Sequence, residues 1–177
     1  MAAISLERHR KLDLALALVE RKLRTTPAHV LTGLPESEIR SLYRMIHGRS
    51  PISGSIPSTG HLLTSRRRQA KISVFIAVYL GLAGEEGGRH LDARLLIQSH
   101  DLFRELIGAR QAEEIDLTAA WSVLREYQGG ISRRPCCRDC GSWYIISENA
   151  DIAPSCPFCA LRRRTYSQAP DLSVEGN

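Results

Sequence analysis

The sequence predicts a mainly α-helical fold: a helical bundle with a helix-turn-helix-like N-terminal part and a C-terminal four-cysteine, zinc-ribbon-like knuckle. Three observations carry this reading. Leucine and other aliphatic residues recur at helical spacing, while alternating β-branched runs are few. Aromatic residues are only 6% of a chain that is 43% hydrophobic, so the core must be built mainly from Leu, Ile, Val and Ala. All five cysteines of the 177 residues fall between Cys136 and Cys159. The length suits one main domain with a small appendage.

A first helix is expected from about Ser5 to Arg24, with Leu12, Leu16, Val19 and Leu23 forming one stripe. Thr26 before Pro27 reads as an N-cap with proline at the first helical position, and Gly33 as the left-handed residue that ends this short helix. Leu34-Pro35 resets the chain. A third helix starts near Glu36, where acids favour the helix dipole, and Gly48 closes it. Ile39, Leu42, Tyr43 and Ile46 form its apolar face. Residues 12–48 therefore outline a helix-turn-helix. Its third helix points Ser37, Arg40, Ser41, Arg44 and His47 outward. Such arginines can bond guanine or neutralise phosphate. The same pattern also suits the solvated face of an ordinary bundle.

The Pro/Gly/Ser-rich stretch from Gly48 to Gly60 reads as a loop. The next helix begins with Arg66, Arg67, Arg68 and Lys71, cations that oppose its dipole and call for an acidic partner, DNA phosphate or plain solvation. Its apolar run, Ile72 to Gly84, is too short to span a bilayer and reads as a buried helix. After a loop at "EEGGRH", a helix is expected from Leu91 to Ile107, with Leu91, Leu95, Leu102, Phe103 and Leu106 inward. Asp116 is the expected N-cap of a helix from Leu117 to Gln128, with Leu117, Trp121 and Leu124 on one core face. The apolar surface between Ile72 and Ile107 exceeds what a small bundle needs, which points to partner docking by helices 66–128. Gly129-Gly130 hinges into the cysteine segment. The domain reading is 1–130 helical, 131–166 metal knuckle, and 167–177 a disordered tail.

Cys137-x2-Cys140 and Cys156-x2-Cys159 stand fifteen residues apart, the spacing of a four-cysteine zinc site. Each pair wraps a tight turn, and Gly141 allows the positive φ that such a turn uses. "SWYII" has strand character, "SENAD" supplies a turn, and Pro157 stiffens the second knuckle. Four thiolates make a closed tetrahedral structural site for one Zn²⁺ per chain. Cys136 would leave a three-residue gap to Cys140, so Cys137 is the expected ligand and Cys136 a bystander. Arg133, Arg134 and Arg138 flank the first pair, and Arg162, Arg163 and Arg164 follow the second. They offset the thiolates and present a basic patch, either for phosphate contact or as a solubilising flank.

The net charge is +5 and the pI about 9.2, which favours an anionic partner, nucleic acid first, or simply a soluble basic protein. The N-terminus shows no apolar signal segment, so a cytoplasmic, reducing location is expected, without membrane attachment. A zinc enzyme needs an open coordination position and a general base; four cysteines close the site, so neither catalysis nor a small-molecule substrate is expected. A zinc-ribbon RNA-binding or ribosome-associated protein is the alternative to a DNA-binding activator. It would need exposed aromatics, and Trp143, Tyr144 and Phe158 are those near the cluster.

Several blocks, in order, resemble one family. "SEIRSLYRMIHGRSPISGSIPS" is similar to its helix and S-P…G…P…S loop, "LTAAWSVLREYQGG" to the helix before its metal site, and "CRDCGSWYI" with "CPFC" and an arginine run to its zinc knuckle. This is the FlhC family, a subunit of the bacterial flagellar master transcription activator, and the likeness spans about Leu12 to Arg164. The resemblance implies zinc held by Cys137, Cys140, Cys156 and Cys159. It implies assembly with FlhD into a ring-shaped hexamer of four FlhD and two FlhC chains. It also implies binding to promoter DNA upstream of flagellar operons and recruitment of RNA polymerase. Cys136, which doubles the first knuckle, and the short stretch after the arginine run depart from the family pattern.

Overall fold

The computed structural model describes residues 2–84 and 91–167, and among these the chain forms nine helices and one two-stranded antiparallel ribbon. The expected loop at 85–90 and the expected tail from 168 lie outside the described residues.

The N-terminal unit is three helices: α1 (Ala2–Glu20), α2 (Thr25–Thr32) and α3 (Glu36–His47). α1 ends earlier than its periodicity predicts. Lys22 takes a positive φ of 62°, its N–H bonds Val19 O at 2.7 Å, and Leu23 N–H bonds Leu18 O at 3.1 Å. This is the double closure of a Schellman turn, with lysine where glycine is usual. Ala15, Leu18, Val19 and Leu23 are buried. The buried face is thus centred between Ala15 and Val19, and Leu16 sits at its edge, 36% exposed, rather than in the stripe.

Thr26 is not the cap of α2. The helix begins one residue before it, behind an extended Arg24 with no side-chain cap, and the Thr26 hydroxyl instead donates to Glu36 at 3.2 Å. Pro27 then occupies the third helical position, where its missing N–H still costs no intrahelical bond. Gly33 and Gly48 close α2 and α3 in the left-handed conformation, as expected. Ile39 and Tyr43 are the buried anchors of α3, while Leu42 is half-buried and Ile46 exposed. His47 does not point outward, because its Nε2 lies 2.8 Å from Val19 O.

α4 (Thr59–Leu62) leads into α5 (Arg66–Ala83), which packs most extensively on α6 (Ala93–Ile107) and also touches α8 (Leu117–Gln128); a short α7 (Ala109–Ala112) joins the last two. Side-chain caps fix the starts: Ser65 accepts from Arg68 N–H, Asp92 from Leu95 N–H and Asp116 from Ala119 N–H. Phe75 and Phe103 meet edge to face, 5.7 Å between centroids, among Ile72, Ile76, Leu96 and Tyr79. Phe103 is inward as expected, joined by Leu96 rather than Leu106; Leu106 is 62% exposed, and Leu91, Leu95 and Leu102 are half-buried. Trp121 is a core residue, as its spacing predicts. Ile72, Phe75, Ile76 and Tyr79 of α5 are buried within the chain, and between Ile72 and Ile107 the large apolar side chains well exposed among the described residues are Leu82 and Leu106. No helix among the described residues is long and apolar enough to cross a membrane.

Three of the four cations that open α5 meet protein, while Arg67 faces solvent. Arg66 donates to the carbonyls of Ala153 and Ser155, Arg68 to that of Glu114, and Lys71 pairs with the Glu114 carboxylate at 3.0 Å. These carbonyls do what an opposing charge would do at a helix N-terminus.

Candidate metal centre

After Gly130 the chain enters β1 (Ser132–Arg133), which pairs antiparallel with β2 (Ile146–Ser147) in the register Ser132↔Ser147 and Arg133↔Ile146. A further bridge joins Cys136 to Trp143. The first knuckle is therefore the tip of a hairpin whose partner strand lies upstream, and the "SWYII" strand is reduced to its last residue and the serine after it. At that tip Gly141 N–H bonds Cys137 O and Cys137 N–H bonds Ser142 O, both at 2.9 Å, with Gly141 at φ 71°. The turn predicted in "SENAD" is present, closed by Ala150 N–H on Ser147 O.

The second knuckle is a helix start. Cys156 stands immediately before α9 (Pro157–Ser167), Pro157 is its first residue, and Cys159 lies in its first turn. Thiolates there face the positive end of the helix dipole. The sequence reading does not include a helix over "CPFCALRRR", although proline at a first helical position is the signal for it.

The four sulfurs of Cys137, Cys140, Cys156 and Cys159 all lie within 4.8 Å of one another, with Cys137–Cys159 at 3.8 Å and Cys140–Cys156 at 3.6 Å. A tetrahedral zinc with Zn–S of about 2.3 Å has S–S edges of about 3.8 Å. The donor set fits. Cys136 stays outside it: its side chain is exposed and its thiol bonds Gly141 O at 3.3 Å.

The electrostatics of the cluster call for a cation. The Ser142 backbone N–H and hydroxyl bring Cys140 down to about 6. Its hydrogen bond with Cys140, then burial and the other thiols, push Cys159 up to about 12, and burial raises Cys156. A thiolate at Cys140 opposes ionisation of Cys159 and Cys156, and a metal ion would offset that repulsion.

The lobe is bonded to the helical body. Gln69 Nε2 donates to Ile145 O at 2.8 Å, and Ile145 N–H donates to Ser73 Oγ at 3.0 Å. Arg66 holds the Ala153 and Ser155 carbonyls just before Cys156 at 2.8 and 3.0 Å. Beside them, a Cβ on Gly60 would come within 2.5 Å of the Asn149 carbonyl, so the lobe's turn tolerates only glycine there. Sequence reasoning assigns none of Gln69, Ser73, Arg66 or Gly60 to this part. Polar residues at i and i+4 on an otherwise apolar helix are the available signal.

The arginines flanking the cysteines do share this lobe. Arg133 pairs with Glu148 at 2.9 Å, Arg134 stacks 5.5 Å from the Trp143 ring, and Arg163 lies 4.0 Å from Asp139. Arg138 and Arg162 are exposed, and the side chain of Arg164 lies outside the described residues. Ser37, Arg40, Ser41 and Arg44 are exposed on α3, a separate element; there Arg40 pairs with Glu36 at 3.2 Å and Ser41 bonds Ser37 O.

The model of the FlhC flagellar transcriptional activator family matches residues 2–169. The chain belongs to the FlhC family. Relatives named flagellar transcriptional regulator FlhC include one from Enterobacter cloacae, 26% identical over 162 residues, 90% of this chain and 84% of the relative. One from Cupriavidus necator is 27% identical over 152 residues, 85% and 73% of the two chains, and one from Paraburkholderia atlantica is 26% identical over 152 residues, 85% and 69%. Membership makes this a transcriptional regulator of flagellar genes and not an enzyme. Among the described residues, the four-cysteine group is what this family member offers a metal ion.

Proposed function

We propose that this FlhC-family chain is a Zn²⁺-containing, DNA-binding subunit of a cytoplasmic FlhD–FlhC complex, four FlhD to two FlhC, that binds promoter DNA upstream of flagellar operons and recruits RNA polymerase. The observation that carries this reading is the tetrathiolate group set in an arginine-bearing lobe that is hydrogen-bonded to α5. A zinc there supplies rigidity rather than chemistry, since four sulfurs leave no open position. The lobe then presents Arg138 and Arg162, which are exposed, with Arg133, Arg134 and Arg163 in the same lobe, and Arg164 next in the sequence. On α3, Arg44 and Arg40 with Ser37 and Ser41 form the second basic face. Phosphate contacts made by these groups position the duplex.

The test is a gel shift of the assembled complex on a flagellar promoter across a salt series. Replacing Arg138 or Arg44 by Gln should weaken binding and reduce the log–log salt slope by about 0.9 for each phosphate no longer neutralised. An unchanged slope in both variants rejects these phosphate contacts.

One observation favours a second reading, RNA binding. Trp143 is 51% exposed with the Arg134 guanidinium over its ring, a pair suited to stacking an unpaired base. Competition between duplex DNA and single-stranded RNA of equal length decides between the two.

A further inference from the structure

A cavity of about 320 Å³ opens where the end of α1, the loop after α3 and the α6–α8 connection meet. Arg21, Lys22, Arg24, Arg49 and Arg104 line it, against two carboxylates, Glu113 and Asp116. Several of these groups are engaged elsewhere. Asp116 caps α8. Arg21 grips Asp101 at 2.7 Å, and Arg24 holds the carbonyls of Ile52, Gly54 and Ser55. Lys22, Arg49 and Arg104 have no side-chain hydrogen-bond or ion-pair partner among the described residues. The recess thus keeps three free cations against two exposed carboxylates, Glu113 and the capping Asp116. A concave wall with an excess of cations concentrates anions better than the same charges on a flat face.

Two further observations belong to this wall. Lys22 is the one non-glycine with positive φ among the described residues, a backbone state that disfavours any Cβ. A lysine is nonetheless placed there, among the residues that line the recess. His100, 3% exposed, lines the interior; its Nε2 bonds Ile115 O at 2.9 Å and its Nδ1 has no protein partner. The wall therefore contains a buried polar atom without a protein partner, one of six such side-chain atoms among the described residues.

We propose that this recess binds a small phosphorylated ligand, held by Lys22, Arg49 and Arg104, and that the bound ligand ties the N-terminal three-helix unit to the α6–α8 body. Cations contributed by the turn after α1, the loop after α3 and α6 close around a compact dianion. A duplex backbone instead presents singly charged phosphates along a convex ridge.

The experiment is calorimetric titration of the full chain, in its native complex where it assembles, with pyrophosphate and with ribose 5-phosphate at constant ionic strength. Saturable binding of one ligand per chain is expected. Arg49→Gln and Arg104→Gln, both at exposed side chains, should each weaken it by at least about tenfold, the loss of one charge-assisted bond. Arg67→Gln, an exposed cation outside the recess, should leave it unchanged. Lys22→Gly separates binding from folding: the thermal midpoint should rise, because the strained φ is relieved, while ligand affinity falls. Affinities unchanged in Arg49→Gln and Arg104→Gln overturn the proposal. So does the absence of saturable binding at millimolar ligand, or a finding that the two substitutions weaken duplex DNA binding alone.

Discussion

The Ile145 backbone N–H donates to the Ser73 hydroxyl at 3.0 Å, and that hydroxyl in turn donates to Gln69 O at 2.7 Å. Ser73 is thus a relay from the interior of α5 to the strand-bearing side of the cysteine lobe, and both it and Ile145 are essentially inaccessible to solvent. Ser73→Ala removes the acceptor of this N–H in a place water does not reach. The expected loss is about 1–3 kcal/mol of unfolding free energy, the cost of an unsatisfied buried donor. Urea denaturation checks it, with a shifted midpoint and an unchanged slope.

Ile145 is packed in the main apolar core, not in the small cluster of cysteines and Tyr144. Metal removal should therefore not be confined to the lobe. Chelation at neutral pH is expected to lower the thermal midpoint of the whole chain by more than about 10 °C, since each kcal/mol is worth about 2–4 °C at this size. Amide exchange in α5 should rise as well. Cys156→Ser should mimic chelation. Cys136→Ser should keep one metal per chain, because its sulfur bonds Gly141 O outside the cluster. A lobe that loses metal while α5 stays fully protected contradicts the coupling.

Arg66 reaches the lobe from the first residue of α5. A single guanidinium nitrogen is shared among Gln69 Oε1, Ala153 O and Ser155 O at 2.8–3.0 Å, which positions the approach to Cys156. Arg66→Gln should lower metal affinity by about 10–100-fold, the usual effect of losing a group that orients a ligand. Arg67→Gln, one residue on and exposed, should not. A chromogenic chelator in competition measures both.

How far the sequence reveals these features depends on the range of the interaction. The left-handed glycines 33 and 48, the Asp116 cap and the four-cysteine spacing are local signals, and each stands in the structure as read. The helix over Pro157–Ser167 and the early end of α1 at Lys22 are local features that the reading missed, whereas the other misreadings involve tertiary contacts. Thr26 has the residue type of a cap, but Glu36 claims its hydroxyl, and Arg24 N–H turns to Thr118 Oγ1. His47 lies on the polar arc of α3, yet the end of α1 takes its ring. Leu16 and Leu106 fit a helical period, but which arc of a helix is buried depends on the neighbours packed against it. Arg66 and Arg68 resemble a surface feature because their partners, the carbonyls at 114, 153 and 155, are distant in the chain.

His100 gives the fold a dependence on pH. Burial is the main cause that holds its pKa below the ordinary value near 6.5, and Arg104 adds to the depression. The Ile115 carbonyl, Asp101 and Asp116 oppose it. A depressed histidine binds fewer protons folded than unfolded, so its neutral form contributes full stability above the unfolded pKa. As pH falls through about 6.5 the unfolded chain takes up the proton first, and stability drops by up to about 1.4 kcal/mol per pH unit until the folded ring also protonates. His100→Gln keeps a donor for the Ile115 carbonyl and cannot titrate. Thermal midpoints measured between pH 7.5 and 5.5 should fall more steeply for the wild type than for His100→Gln. Parallel curves would show that His100 is protonated as easily in the folded chain as in the unfolded one.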